Sequence, residues 1–438
     1  MKKANLLLFC MASLVFFLNS CKKQTSTAPP VVVKKDGAFI NLAHLNDLYT
    51  PVVFPDGTAA SGIYIYSAYP DYHHVEATGE GFTCLDDVSR AALVYFRSEQ
   101  FSSDTAIQKK AVQLIKFILA MQAGDGYFYN FLQTDGTINT GGMTSMAVQN
   151  WWSWRALQTL TETTPQVKTL DAGLGAAMDG AVNKIITNVK ADLVPLPQTT
   201  ESISGITIPK WLPAGSATDQ AATLILGLVP YCKANNDPVI QNFIRKLADG
   251  ILLMQEGTAG SFPYSLFLSV QNQWHAYGSD QSYALLLAGE FLNDTIYSSG
   301  AIEEISNFYP WLIANGYKSN MSLSFDTIQF QPLTENNFDQ IAYGFRPMVF
   351  AAAEAYAYTG QHQYADIAGH LAAWFLGANQ ASANMYDSTT GRCFDALSAG
   401  AQVNLNSGAE STIEALLTMQ VVQKYPAIQA AMYTYRKR

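Results

Sequence analysis

Carboxylates recur in this chain at the heads of apolar segments. Asp86, Asp219, Asp280, Asp339 and Glu410 hold five such positions, and Thr144 holds a sixth. Acids gathered around a cleft can give and take protons in a reaction. Two of them facing each other are what glycoside hydrolysis needs, at roughly 5–5.5 Å for retention and roughly 6.5–9.5 Å for inversion. Several of these acids also have a purely structural use. Thr83-x-x-Asp86, Ser216-x-x-Asp219 and Ser407-x-x-Glu410 resemble helix capping boxes, and an acid in a first turn is favoured by the helix dipole. Asp87 stands apart because Asp86 already fills the capping role. It can pair with Arg90 three residues on, or serve as a general base or substrate anchor. The dipole and Arg90 both favour its ionised form, which suits a base. Glu410 is then the leading general acid, with Asp86, Asp395 and Asp339 as further catalytic candidates.

Other residue types suggest how substrate could be held. Arg90, His74, His275 and Asp280 are candidate binding groups, and Trp211 and Trp274 lie in loops where they could stack on a sugar ring. His73-His74 and His275 also admit a rival chemistry. A lyase acting on acidic sugars would use His and Tyr to remove a proton, with Arg346 or Arg392 neutralising the acid. No CxxC pair or His-Glu-x-x-His stretch is present, so neither metal nor cofactor is expected.

The elements that must carry these residues repeat. The marker positions are 58 to 75 residues apart, room for two helices and two loops each time. Two helix types alternate. Ala91–Phe96, Ala221–Tyr231, Ser282–Leu292, Pro347–Tyr358 and Ile413–Val422 are apolar all round and must be buried on every side, and Trp151, Trp152 and Trp154 fall on a sixth such helix. Thr105–Gln122, Leu170–Val189, Pro238–Gln255, Ala301–Ala314 and Gln361–Leu376 are amphipathic and belong outside. The pattern predicts an all-α chain, an (α/α)6 toroid of six inner and about six outer helices in one domain over residues 38–438. Either Phe39–Tyr49 or Ala427–Tyr435 supplies the sixth outer helix. Closure of such a ring brings the first and last units together, and with them Asp87 and Glu410.

Composition agrees with a large buried helical body. Only 14% of the 438 residues are charged, against about 25% in a typical soluble domain, while 49% are hydrophobic. The net charge is -9 with no basic stripe, which argues against a nucleic-acid partner. Lys2-Lys3 followed by the apolar run Leu6–Leu18 reads as a signal peptide over residues 1–20. Leu18-Asn19-Ser20-Cys21 resembles a lipoprotein cleavage box, so Cys21 is the expected lipidation site, residues 21–37 a flexible tether, and the bacterial cell envelope the expected location. The protein is expected to be a monomer. Cys84 and Cys393 lie in the first and last units; buried free thiols are favoured over a disulfide between them.

Two stretches carry a resemblance. Asp86-Asp87-Val88-Ser89-Arg90-Ala91 looks like the D-D-x-x-R-A motif of the six-hairpin glycosidase-like superfamily. Tyr386-Asp387, Gly391, Cys393, Asp395 and Leu397, followed by Asn404-Leu405-Asn406-Ser407-Gly408-Ala409-Glu410-Ser411-Thr412, is similar to the closing motif of helical domains associated with sugar-transferring and mannoside-processing proteins. Ser407 stands where such domains tend to carry Gln. The resemblance implies an (α/α)6 toroid that works on carbohydrate. The expected activity is glycoside hydrolysis of an oligosaccharide or polysaccharide. A non-catalytic glycan-binding toroid and, behind it, a polysaccharide lyase are the alternatives.

Overall fold

A computed structural model describes residues 39–437. The signal segment, the tether and Cys21 lie outside the described residues. Among the described residues thirteen helices follow one another: α1 (Ala43–Leu48), α2 (Leu85–Phe96), α3 (Thr105–Ala120), α4 (Trp151–Leu170), α5 (Ala172–Asp192), α6 (Thr218–Asn235), α7 (Pro238–Leu253), α8 (Gln281–Leu292), α9 (Thr295–Ala314), α10 (Arg346–Thr359), α11 (His362–Ala373), α12 (Ala409–Lys424) and α13 (Pro426–Tyr435).

The even-numbered helices from α2 to α12 form an inner ring. Each packs on the next, and α12 packs on α2, which closes it. Burial matches the two expected helix types. In α2 every residue except Asp86 is buried, while α3 buries a stripe of Ile107, Ala111, Leu114, Ile115, Phe117 and Ile118 and leaves Lys109 exposed. The sixth outer helix is the C-terminal one: α13 lies beside α11 and against α12, while the N-terminal candidate shrinks to the short α1. Among the described residues the loops hold eight small sheets, seven of two strands and one of three, and these decorate the ring without forming a second domain.

Two repeat boundaries fall elsewhere than the sequence suggests. Thr144 lies in a turn, and α4 starts only after Asn150, whose side chain caps Trp151. Asp339 is exposed, and α10 starts at Arg346 behind a 3-10 turn, Ala342–Gly344.

Four outer helices and five inner helices begin differently. Asp104, Asp171, Asp237 and Asp294 cap α3, α5, α7 and α9 by accepting backbone N–H bonds in the first turn. The helix-start residues of α2, α6, α8, α10 and α12 make no side-chain cap bond. The capping boxes expected at Thr83, Ser216 and Ser407 therefore do not form. Tertiary groups do the work instead. Asn130, from the loop after α3, accepts the N–H groups of Leu85 through its backbone oxygen (2.6 Å) and of Asp86 through its side chain (3.1 Å). Asp395 accepts from Gly408 N (2.7 Å) and Ser411 Oγ (2.5 Å) at the start of α12. The first-turn acids of the inner ring are thus free for other partners.

The closing motif also ties the chain ends together. His44 in α1 bonds the Ser407 carbonyl at 2.8 Å, and the Ala409 N–H donates to the Ile65 carbonyl at 2.8 Å. Gly408 is required by this approach, since a Cβ there would stand 2.6 Å from the Ile65 oxygen. Cys84 and Cys393 are free and buried, the Cys84 thiol donating to Asp87 Oδ2 at 3.2 Å.

Candidate functional site

The N-terminal ends of the inner helices surround a cavity of about 560 Å³. Its wall includes Asp86, Asp87 and Arg90 from α2, Trp151, Trp152 and Arg155 from α4, Tyr343 ahead of α10, and Glu410 and Ser411 from α12; loops add Tyr66, Glu80, Tyr277 and Asp395. The first and last units meet here, and their acids share one cation. Arg90 Nη2 lies 2.8 Å from Asp86 Oδ2, 2.7 Å from Asp87 Oδ1 and 3.3 Å from Glu410 Oε2, while its Nη1 is 2.6 Å from Glu414 Oε1.

Two more arginines extend the lattice. Arg155 Nε lies 2.5 Å from Asp86 Oδ1, and its guanidinium bonds the Tyr343 hydroxyl. Arg346 holds Asp280 with both terminal nitrogens (2.6 and 3.1 Å) and reaches Glu414 Oε2 with Nε at 2.6 Å. The Tyr343 ring lies within 4.9 to 5.5 Å of all three guanidinium carbons. Five carboxylates thus face three guanidiniums. Arginine suits the task because its planar fork serves several acceptors at once and keeps its charge when buried.

Burial and charge divide the acids into different states. Glu414 is sealed, which by itself favours the neutral form, but Arg346 and Arg90 outweigh that and hold it below the usual carboxylate range. Asp87 is also sealed, and there burial wins over Arg90, pushing the carboxyl up. The helix dipole and Arg90 alone favour the opposite direction, and burial overrides them. Glu410 is pushed up to about 7, first by its recessed position and then by Asp87 and Glu414, against the pull of Arg90. Its side chain nevertheless keeps 44% exposure, against 5% for Asp87 and none for Glu414. Of the four acids around Arg90 it is the one most open to the cavity.

A second buried pair lies behind the wall. Asp219 Oδ2 is 3.0 Å from His275 Nε2, and His275 Nδ1 donates to the Tyr277 carbonyl at 2.7 Å. Burial is the largest influence on Asp219 and pushes it up. A carbonyl can only accept, so Nδ1 is the nitrogen that carries a proton and Nε2 is the one that faces the acid.

No protein-family model matches the chain, and no curated protein matches it. Solved structures do. A sugar epimerase from a ruminal bacterium superposes with TM-score 0.61 at 10% identity, over 87% of this chain and 95% of that one. The cellobiose 2-epimerase of Bacillus thermoamylovorans B4167 gives 0.59 at 11% identity, over 88% and 96%. A family 76 glycoside hydrolase from a bovine Bacteroides thetaiotaomicron strain gives 0.55 at 11%, over 89% and 79%. This is the six-hairpin (α/α)6 toroid fold.

In the toroid the sequence candidates separate into three groups. Asp86, Asp87, Arg90, Asp395 and Glu410 line the cavity. Asp280 and His275 lie in the layer behind it, paired with Arg346 and Asp219. The remainder lie elsewhere. Trp211 is buried with its indole N–H on the Lys246 carbonyl (2.9 Å), and Trp274 is 1% exposed and packs edge-on against Phe308. Both tryptophans are core residues and offer no face to a sugar. His74 stacks on Tyr64 and faces Asp47 at 3.3 Å in a separate surface hollow. Asp339 is exposed and does not line the cavity. The sequence reading missed Glu80, Arg155, Tyr277, Tyr343 and Glu414. Glu414 had a signal, since it follows Glu410 by one helical turn on the same face. Glu80 and Tyr277 come from loops with no repeating pattern.

Proposed function

We propose that this toroid is a carbohydrate-processing enzyme that hydrolyses a glycosidic bond at the cavity, with Glu410 as the proton donor. The observation that carries the reading is the state of Glu410. It is the most open carboxyl around Arg90, and an acidity near pH 7 keeps a proton available for a leaving sugar oxygen. Asp87 has both oxygens occupied, one by the Cys84 thiol and one by Arg90, so its part is to hold Arg90 and raise Glu410. Asp86 is tied to Arg90 and Arg155, which leaves Asp395 and Glu80 as the remaining carboxylates on the wall and the candidates for activating water. The fold relatives named for sugar epimerisation and glycoside hydrolysis support a carbohydrate substrate.

A non-catalytic glycan-binding toroid is the second reading. It is favoured by the interlocking of Asp86, Asp87, Asp280 and Glu414 with arginine, which leaves no second acid free opposite Glu410 in the cluster itself.

The deciding experiment incubates the protein with cellobiose, mannotriose and a wider oligosaccharide panel, and measures bound ligand, new reducing ends and product mass. New reducing ends that vanish in Glu410→Gln support hydrolysis. Binding without product moves the assignment to the glycan-binding toroid. A product of unchanged mass and altered stereochemistry replaces hydrolysis by isomerisation. We also propose envelope anchoring through a lipid on Cys21, on the strength of the Leu18–Cys21 box. Incorporation of an alkyne fatty acid that persists in Cys21→Ser would overturn it.

A further inference from the structure

We infer that Tyr277 is the platform on which a sugar ring stacks in the cavity, and that His275 and Asp219 hold it there as positioning residues. The inference rests on the carbohydrate reading above and adds the surface that orients the substrate.

Tyr277 lines the cavity and is 46% exposed, so a large aromatic surface is open there. One of its faces is covered. The His275 ring lies parallel to it, with centroids 3.7 Å apart and 6° between planes. The exposure therefore belongs to the opposite face and the hydroxyl edge, and an aromatic face open to a cavity is the kind of surface to which the C–H side of a sugar ring binds.

The backing ring is itself fixed at both nitrogens, by the Tyr277 carbonyl and by Asp219 from the first turn of α6. The residue between the two rings is anchored too, since the Ala276 N–H donates to the Ser319 carbonyl at 2.8 Å. On the other side Gly278 adopts a φ of +63°, and a Cβ there would lie 2.6 Å from the Tyr343 hydroxyl and 2.9 Å from the Trp151 ring. The loop is thus pressed between the cavity wall and the Asp219–His275 pair, and the Tyr277 ring is set before any ligand arrives. Such preorganisation lowers the ordering cost of binding. Tyr66 is comparably exposed at 47% on the same cavity, but no aromatic ring backs it among the described contacts. Trp151 is only half-buried and has Arg155 above its ring at 5.7 Å. Tyr277 is the wall aromatic built as a fixed plate.

The test measures affinity for cellobiose and mannotriose by calorimetry, and KM and kcat for whichever is turned over. The variants are Tyr277→Ala, Tyr277→Phe and His275→Ala beside wild type. Tyr277→Ala should weaken binding about tenfold and raise KM with little change in kcat, the size expected for losing one aromatic stacking contact. Tyr277→Phe should keep most of the affinity, because the ring face is retained. His275→Ala should weaken binding by a smaller factor, also through KM. If that variant does not fold, the two Tyr277 variants decide alone, since their side chain is half exposed. Wild-type binding with Tyr277→Ala unchanged overturns the platform while leaving the carbohydrate reading intact. No binding of any panel sugar by wild type overturns that reading and the platform with it.

Discussion

The two ends of the inner ring hold cavities of similar size and opposite character. The one at the helix N-termini measures about 560 Å³, and the one towards the C-termini about 640 Å³, lined by Arg97, Glu162, Lys233, Tyr283, Glu354 and Lys424 among others. Volume therefore does not distinguish them; charge placement does. First-turn acids, Asp86, Asp87, Asp219 and Glu410, stand at one end, and last-turn Lys233 and Lys424 at the other, as the helix dipoles favour. Both ends use arginine, but the N-terminal end locks five carboxylates with three guanidiniums. At the far end Arg97 and Glu162 form one forked pair at 2.7 and 2.8 Å, and Glu354 has no ion pair among the described residues. The dipole explains which sign goes where. It does not explain three buried guanidiniums, which are costly to desolvate and point to a site whose geometry must be fixed.

The largest expected difference between the two ends is in turnover. Glu410→Gln should cut kcat by about 10²–10⁴-fold with the helical circular dichroism intact, the range for loss of a general acid. Full activity in that variant would remove Glu410 from the chemistry. Stability should separate the ends next. Arg346→Met leaves Asp280 and Glu414 buried without their main partner and should cost about 3–5 kcal/mol in denaturant titration. Arg97→Met breaks a pair whose two side chains are 26% and 30% exposed, and should cost about 1 kcal/mol or less. Equal costs would mean that the arginine lattice is no more demanding than an ordinary ion pair.

The pH response follows from the same acid. Glu410 titrates near 7 when folded, above its unfolded value, so between those two values the folded chain binds the extra proton. Its contribution to stability is therefore present at low pH and is lost as pH rises towards and through 7. As a proton donor it loses activity over the same range, so kcat/KM should fall as pH rises through about 7. A rate that instead climbs across that range would make Glu410 a base.

The toroid was legible because burial forces a pattern. Helices such as α10, buried along Arg346–Ala353 and at Ala355, cannot carry the polar face of an outer helix, and the alternation of the two types sets the architecture. The cavity acids at the two ends of the sequence were legible for the same reason, since closure must join the first and last inner helices. What failed had a physical cause in each case. Position in a connecting segment leaves an indole open either to stack on a sugar or to pack, and Trp211 and Trp274 pack, because a connection between packed helices can bury an indole almost completely. The direction of Asp87's acidity depended on how deeply it is sealed, a tertiary property. Tyr277 carries no spacing signal, because its role comes from a ring stacked behind it.

The smallest predicted effect is the strictest control on the comparison. Glu354 sits in the far cavity, where burial is the main cause pushing its pKa up and Glu290 adds to it, with Lys424 and Lys233 only partly offsetting both. A carboxyl in that position is destabilising once ionised. Glu354→Gln keeps the shape and removes the charge, so at pH 8 it should raise stability by about 0.5 kcal/mol, the scale of a substitution outside the buried networks. The same variant should leave turnover within about twofold, because nothing in the near cavity contacts it. If turnover instead collapses as far as in Glu410→Gln, substrate is being processed at the C-terminal end of the ring, and the arginine lattice is a structural brace rather than an active centre.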